Sequence, residues 1–219
     1  MESLDGGHSQ IQALKIRRLY EEFDCDYIVL DTQSFGLSIF DNLATNLYDK
    51  EFDREYEALN CINDDEMAKR CFVDNAPKVI YSIKADARLN NDMHVYVRDD
   101  FKRGKLRLLM NENECKEYLS SIKGYCDLPP EEQVNFQLPY VQTTFLINEM
   151  INLEKVDTEN NLIKLKEPST KRKDRYSSLG YAVYIAKELE AKLRPKSQSN
   201  VNISDLLSYV PPTIRKRRF

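Results

Sequence analysis

The sequence predicts an α/β domain in which helices cover a sheet. The first observation is an unbroken apolar run, YIVL at residues 27–30, which stops at Asp31. Continuous rather than alternating apolarity is typical of a strand covered on both faces, as in a parallel sheet flanked by helices. Strand-like runs also alternate along the chain with amphipathic helical segments, an order typical of layered α/β domains. Finally, a 42% hydrophobic content over 219 residues suffices for one substantial core.

The first half of the chain indicates two strands among helices. A helix is expected near Ser9, because Ser9 and Gln12 have the spacing of a capping box, which satisfies free amides at a helix start. The strand at residues 27–30 follows, and a turn then leads into a second helix. Residues 65–74 indicate a short helix, and residues 78–83 (KVIYSI) a second strand.

The second half indicates four helices, two strands and a tail. The helices are expected at residues 91–103, at 112–123, after the two prolines 129–130 and at 174–193, and the strands at 105–109 and, as an edge strand, 162–166. Ser, Asn, Pro and terminal cations dominate from residue 194 onward. We therefore expect a domain over residues 1–193 and a basic, flexible, weakly ordered tail over 194–219. A brief apolar patch around Ile203, Leu206 and Leu207 could dock as one helical turn.

The composition predicts a soluble protein with reduced thiols. No apolar run approaches the roughly 20 residues that a membrane span requires. The N-terminus has neither the basic region nor the apolar core of a signal peptide. The five cysteines are widely spaced and contain no CxxC pair, so neither a zinc site nor a disulfide framework is expected.

The net charge of −4 conceals an asymmetry between the two halves. Residues 1–100 carry 11 Lys and Arg against 21 Asp and Glu, whereas residues 101–219 carry 21 against 15. A polyanionic partner would be met by the C-terminal half, and the acidic half could hold cations.

Two acids stand out by their positions. Asp31 ends the most apolar strand, and side chains at the carboxyl edge of a parallel sheet face its binding crevice. Asp174 opens the last long helix within the basic segment KRKDR, residues 171–175. Carboxylates that meet across a sheet can hold two divalent cations for phosphodiester cleavage. The structural alternatives are that Asp174 is a helix N-cap and that Asp31 is a turn former at a strand end.

Over about residues 5–193 the chain resembles the nuclease domain of large terminases, the DNA-packaging enzymes of tailed phages and prophages. The resemblance is carried by HSQIQALKIRRLYEEFDCDYIVLDTQSFGLSIFDNL and by KEPSTKRKDRYSSLGYAVYIAKELE. Four segments that lie between them are also similar to prophage terminase segments, namely NDDEMAKRC, VIYSIKA, FKRGKLRLL and QLPYVQTTFLINEMINLE.

This resemblance implies a ribonuclease-H-like mixed sheet flanked by helices, and Mg²⁺- or Mn²⁺-dependent endonucleolytic cleavage of concatemeric double-stranded DNA. By the match, Asp31 is the metal-binding catalytic acid on the central strand, and Asp174 is the one at the final helix. The implied partners are double-stranded DNA and, further, the portal protein, the small terminase subunit and the terminase ATPase domain. The implied location is the cytoplasm of a bacterial host cell, with no membrane partner.

The chain departs from this family in two places. Ser34 stands where family members usually have glycine, so the turn after Asp31 is less free to take a positive φ angle. The family's first acid lies on an opening strand upstream of the matched segment, and no GxxxxGK[ST] phosphate loop occurs in the chain. The expectation is therefore a nuclease domain without its first strands and without the ATPase half.

DNA contact is expected from two basic segments and should be directed at the phosphate backbone and sensitive to salt. The candidate residues are Lys171, Arg172, Lys173 and Arg175 around Asp174, and Lys102, Arg103 and Lys105 in FKRGKLR. For the first group, DNA contact is favoured because the cations flank a proposed metal ligand. For the second, DNA contact and a solvated charge run remain equally open, and Lys164 and Lys166 are expected to be solvated.

Two other functions remain open. One is a non-catalytic terminase remnant that binds DNA or a packaging partner without cutting. The other is a different ribonuclease-H-like nuclease, such as a resolvase, which is disfavoured by the long insertion at residues 58–119 between the two acids and by the matched segments.

Overall fold

The computed structural model describes residues 6–156 and 162–193, which contain seven α-helices and seven strands. The helices are α1 (Ser9–Glu22), α2 (Phe35–Leu43), α3 (Asp65–Ala68), α4 (Ala87–Lys102), α5 (Glu112–Ser121), α6 (Pro130–Ile151) and α7 (Asp174–Leu193). The strands are β1 (Ile28–Asp31), β2 (Leu47–Asp49), β3 (Arg54–Tyr56), β4 (Asn60–Cys61), β5 (Lys78–Ile83), β6 (Glu154–Val156) and β7 (Lys164–Lys166). A 3₁₀ turn, Tyr125–Asp127, joins α5 to α6.

The central sheet has three parallel strands in the order β1-β5-β4. Its middle strand, β5, is buried over its last four residues. The register places Ile28 opposite Ile80 and Asp31 opposite Ile83. Because the strands run in one direction, their carboxyl ends lie at one edge of the sheet. The ribbons β2–β3 and β6–β7 are antiparallel and separate from this sheet.

Helices cover both faces of the central sheet. Ile28 and Leu30 of β1 are buried in a cluster with residues of α1 and α2. On the opposite face, Tyr81 and Ile83 form a buried cluster with Ile185 of α7. The α/β class and the strands at residues 27–30 and 78–83 are confirmed, and the unbroken apolarity of β1 is explained by burial from both sides. Within the described ranges, parallel and antiparallel pairs lie in separate sheets rather than in one mixed sheet.

Side-chain caps fix the starts of α4 and α3. The Asp86 carboxylate accepts a hydrogen bond from the Leu89 amide at 2.7 Å, so α4 begins at Ala87 rather than at residue 91. The Asp64 carboxylate accepts from the amides of Glu66 and Met67 and starts α3. This helix ends at Ala68, so the helix expected over residues 65–74 is much shorter than predicted.

The capping box at Ser9 and Gln12 is wrong. Helix α1 does begin at Ser9, but its N-cap is His8, which makes no side-chain capping bond. The Gln12 side chain instead donates to the Gly6 carbonyl at 3.2 Å. The Ser9 hydroxyl accepts from Asn42 of α2 at 3.0 Å, so a tertiary contact uses the group that local spacing assigned to the cap.

The strand expected at residues 105–109 is also wrong, because the segment runs as a loop and pairs with no strand in the described ranges. Its alternation has another cause. Leu106 and Leu108 are half-buried against the cluster formed by α4, α6 and α7, while Arg107 between them faces solvent. Alternate burial of a loop over a helical layer gives the same pattern as an edge strand.

The tail predicted over residues 194–219, with its apolar patch, lies outside the described residues. Among residues 6–156 and 162–193, no helix combines the length and the apolarity that a membrane crossing requires.

Candidate functional site at the carboxyl edge of the sheet

Asp31 is the last residue of β1 and lies at the carboxyl edge of the sheet. Its carboxylate accepts a hydrogen bond from the Gln33 amide at 3.0 Å, a local Asx turn, and lies near the Tyr181 hydroxyl of α7. Burial raises the pKa of Tyr181, and the neighbouring Asp31 charge raises it further. The carboxylate oxygens retain lone pairs for a further ligand. The bond from Gln33 therefore supports the interpretation of Asp31 as a turn former. This bond does not exclude a role for Asp31 as a metal ligand.

The turn after Asp31 is tightly built. The Thr32 and Ser82 hydroxyls are 2.6 Å apart and buried, which joins the ends of β1 and β5. Ser34 has φ +48°, the positive value that a glycine adopts without strain. A Cβ atom on Gly36 would lie 1.7 Å from the Asp31 carbonyl oxygen, so only glycine allows α2 to start this close to β1. The close backbone packing of this turn therefore fixes the position of Asp31.

The remainder of this edge is polar. The Asn63 side chain, just after β4, donates to the Ser82 carbonyl at 2.9 Å and accepts from the Ser82 amide at 2.8 Å. The Asn63 side chain thus makes with β5 the two hydrogen bonds that the backbone of a neighbouring strand would make. Next to it, Lys84 forms an ion pair with Asp64 at 2.6 Å. Hydrogen bonds and an ion pair therefore hold this edge together, and Asp31 lies beside α7.

Asp174 is the first residue of α7 and is exposed. It lies seven residues before Tyr181, which corresponds to nearly two full turns, so the two residues share one face of the helix. At 1.5 Å per residue, the axial separation is about 10 Å. Asp174 is therefore on the face of α7 that contacts Asp31, displaced toward the helix start. The distance between the two carboxylates stays a prediction, with about 8 Å as the expected upper limit.

The cations around Asp174 fall into two classes. Lys171 and Arg172 are exposed and line a groove of about 410 Å³ between the start of α7 and α6. Lys173 is half-buried and forms an ion pair with Glu167 at 2.8 Å. Among the four predicted phosphate contacts of this segment, Lys171 and Arg172 therefore present the more accessible side chains.

Arg175 ties α7 to α6. Its guanidinium donates to Glu149 and to Gln142, both at 2.9 Å, and stacks over the Phe145 ring at 5.1 Å from its centroid. The second carboxylate oxygen of Glu149 accepts from the Tyr176 amide, which satisfies a free donor in the first turn of α7. These contacts assign Arg175 a role in positioning the start of α7.

The second basic segment lies at the other end of α7. Lys102 ends α4, Arg103 caps it, and Lys105 forms an ion pair with Glu190 at 2.9 Å. Glu190 follows Asp174 by 16 residues, or about 24 Å along the helix axis. The structure therefore does not bring the two predicted DNA-contact segments together at one site.

The described residues supply an incomplete set of ligands for the predicted metal site. Within residues 6–156 and 162–193, no group of three or more His, Cys, Asp or Glu side chains is arranged to hold a metal ion. Two carboxylates fall short of what a pair of catalytic cations and an attacking water require. The described residues therefore do not fit a complete two-metal centre.

Sequence reasoning missed several residues of this edge. Tyr181, Thr32, Ser82 and Asn63 make the contacts that place Asp31, and none carries a charge that singles it out. One signal was present for Tyr181, because it follows Asp174 at a spacing of two helical turns. The partners of Thr32 and Asn63 are set by tertiary pairing and have no local signature.

Comparisons with family models, with curated proteins and with solved structures gave no match to this chain.

Proposed function

We propose that this chain is the nuclease portion of a tailed-phage or prophage large terminase, with a ribonuclease-H-like fold that acts on double-stranded DNA. The observation that carries the proposal is the proximity of Asp31 to Tyr181, which places the carboxyl end of β1 next to the helix that Asp174 opens. This arrangement agrees with the order of the two acid-bearing segments that resemble terminases. The ancestral reaction of such a domain is endonucleolytic cleavage supported by Mg²⁺ or Mn²⁺.

A second candidate function is a terminase remnant that binds DNA or a packaging partner without cutting it. It is favoured by the absence, within the described ranges, of a third His, Cys, Asp or Glu ligand that would complete a metal site. Residues outside those ranges or a companion polypeptide could still supply one, for example the ATPase part of the motor. Both candidates predict DNA binding, and they differ in cleavage.

A plasmid-nicking assay with Mn²⁺ separates the two candidates. We expect the isolated chain to nick DNA slowly or not at all, because two acids hold a single cation loosely. The comparison uses Asp31→Ala, Asp174→Ala and, as a matched control, Asp26→Ala in the exposed turn before β1. Efficient cleavage that both site variants abolish, and the control retains, would contradict the remnant and establish the nuclease. Cleavage that survives both substitutions would contradict the proposed site.

DNA binding tests the basic groove at the start of α7. Replacing Lys171 and Arg172 by alanine is expected to weaken binding equally for unrelated DNA sequences. The slope of log affinity against log salt should fall by about 1.8, or about 0.9 for each lost phosphate contact. Lys164→Ala with Lys166→Ala, which also removes two exposed cations, is the control and should leave the slope unchanged. If the unaltered chain and the two double variants had equal slopes, Lys171 and Arg172 would be solvated residues that do not contact DNA.

A further inference from the structure

The outer edge of β1 is open in the described part of the chain. β1 pairs with β5 on one side and with no strand of residues 6–156 or 162–193 on the other. The Thr32 amide donates to the Ile83 carbonyl of β5. Backbone groups of alternate residues point to the same side of a strand, so those of Tyr27 and Val29 point away from β5. An exposed edge of this kind is a template for a further strand.

An apolar groove of about 870 Å³ runs along this open edge. One wall is formed by Ile16 and Leu19 of α1 and by Phe23, which follows this helix, and the other contains Leu109 and Leu138. The side chain of Phe23 is 68% exposed and that of Leu109 is 50% exposed. Apolar walls on both sides of an unpaired edge suit a strand that is apolar on both of its faces.

We propose that residues 206–210 of this chain, LLSYV, occupy the groove as a fourth strand beside residues 27–31. Four of these five residues are apolar, and they alternate between the two faces of a strand as Leu206, Ser208 and Val210 on one and Leu207 and Tyr209 on the other. The five residues of the segment are enough to pair along the four residues of β1 and the residue that precedes them. Pro211 and Pro212 follow immediately and would end the strand, since proline cannot donate to a ladder.

The geometry of the chain permits this occupant. Near the end of α7, Glu190 contacts Lys105, and Leu109 of the groove is four residues beyond Lys105. Four residues span at most about 14 Å, whereas the twelve residues 194–205 can span about 40 Å. A segment tethered at this distance has an effective concentration in the millimolar range, which favours it over a strand from another molecule.

Amide hydrogen exchange in the full chain tests the pairing. The variant Leu207→Lys with Tyr209→Lys should speed exchange of the Val29 amide at least tenfold, because a charged pair cannot enter an apolar groove. The matched control, Asn202→Lys with Ser204→Lys, adds the same charge in the linker and should leave this exchange unchanged. Equal Val29 exchange rates in the two variants would overturn the proposal.

Crosslinking tests which molecule supplies the strand. Cys25 is exposed and lines the groove near the start of β1. In a Cys126→Ser background, mild oxidation should join Cys25 within one molecule to Asp205→Cys for a parallel strand, or to Pro211→Cys for an antiparallel one. Ser197→Cys in the linker and a Cys25→Ser partner variant are the controls. A crosslinked dimer that disappears on dilution would assign the groove to a second copy, and that result, like the absence of any specific crosslink, overturns the proposal.

Discussion

Gly36→Ala is expected to lower the free energy of unfolding by about 3 kcal/mol or more. The added Cβ would lie 1.7 Å from the carbonyl oxygen of Asp31 and 2.8 Å from its carbonyl carbon. Both are backbone atoms, so the overlap cannot be relieved by turning a side chain. Either the start of α2 or the end of β1 must move, and Asp31 moves with it. The measurement is urea denaturation of the purified variant and the unaltered chain.

Ser34→Gly is the matched control in the same turn, and its expected effect has the opposite sign. Ser34 holds φ at +48°, a strained value for any residue with a Cβ. Glycine relieves this strain but increases the entropy of the unfolded chain. The free energy of unfolding of Ser34→Gly is therefore expected to rise by up to about 1 kcal/mol. An unchanged urea midpoint for Gly36→Ala would show that β1 and α2 separate easily, which contradicts the tight turn.

The second large effect is a loss of stability in mild acid that depends on His94. The imidazole of His94 is buried against Tyr176, with its Nδ1 atom 2.8 Å from the tyrosine hydroxyl. Burial, assisted by the charge of Lys173, lowers the pKa of His94 from 6.5 to about 4. Burial also raises the pKa of Tyr176 to about 12, so this pair is neutral at pH 7.

Stability falls in acid because the unfolded state takes up a proton at a higher pH than the folded state does. As the pH falls below 6.5, the unfolded chain protonates this histidine while the folded chain does not, so the unfolded state gains free energy of protonation. The stability associated with neutral His94 is complete above pH 6.5 and is lost progressively down to about pH 4. The expected loss at pH 4 is about 3 kcal/mol.

Urea denaturation between about pH 7.5 and 4 should show this loss in the unaltered chain and not in His94→Gln, which retains a hydrogen-bonding group for Tyr176. The difference between the two proteins removes the contribution of the many other acids. A direct readout is available if His94→Gln folds poorly. In a His8→Asn background, the single imidazole signal in the NMR spectrum should stay constant from about pH 7.5 to about pH 5. Titration of that signal near pH 6.5 would contradict the burial of His94.

Helix α7 organises both the candidate site and its support. Its first turn carries Asp174 and receives a backbone cap from Glu149, and its second turn reaches Asp31 through Tyr181. Further along, Lys187 forms an ion pair with Asp100 of α4, and Glu190 pairs with Lys105. Displacement of α7 would therefore change the sheet edge and the α4 contact together. Several elements therefore hold the carboxyl edge of the sheet.

Burial patterns explain how much of this architecture the sequence by itself determined. The apolar run before Asp31 predicted a strand covered on both faces, because only double-sided burial removes the need for alternation. The same reasoning located β5, and helical spacing located α7 from Asp174 to Leu193. The sequence also singled out Ser34 as a residue at a position that favours glycine, and its φ of +48° agrees with that.

Only the tertiary structure decided which side chains meet. The strand order β1-β5-β4, the bonds from Thr32 and Asn63 to Ser82, and the contact of Tyr181 with Asp31 join residues far apart in sequence. The tertiary structure also separated the two basic segments to opposite ends of α7 and placed Arg175 in an ion pair with Glu149. Local periodicity reports whether a residue is buried, but not against which residue. Charge clusters and loop alternation were therefore ambiguous until the packing of α4, α6 and α7 assigned their partners.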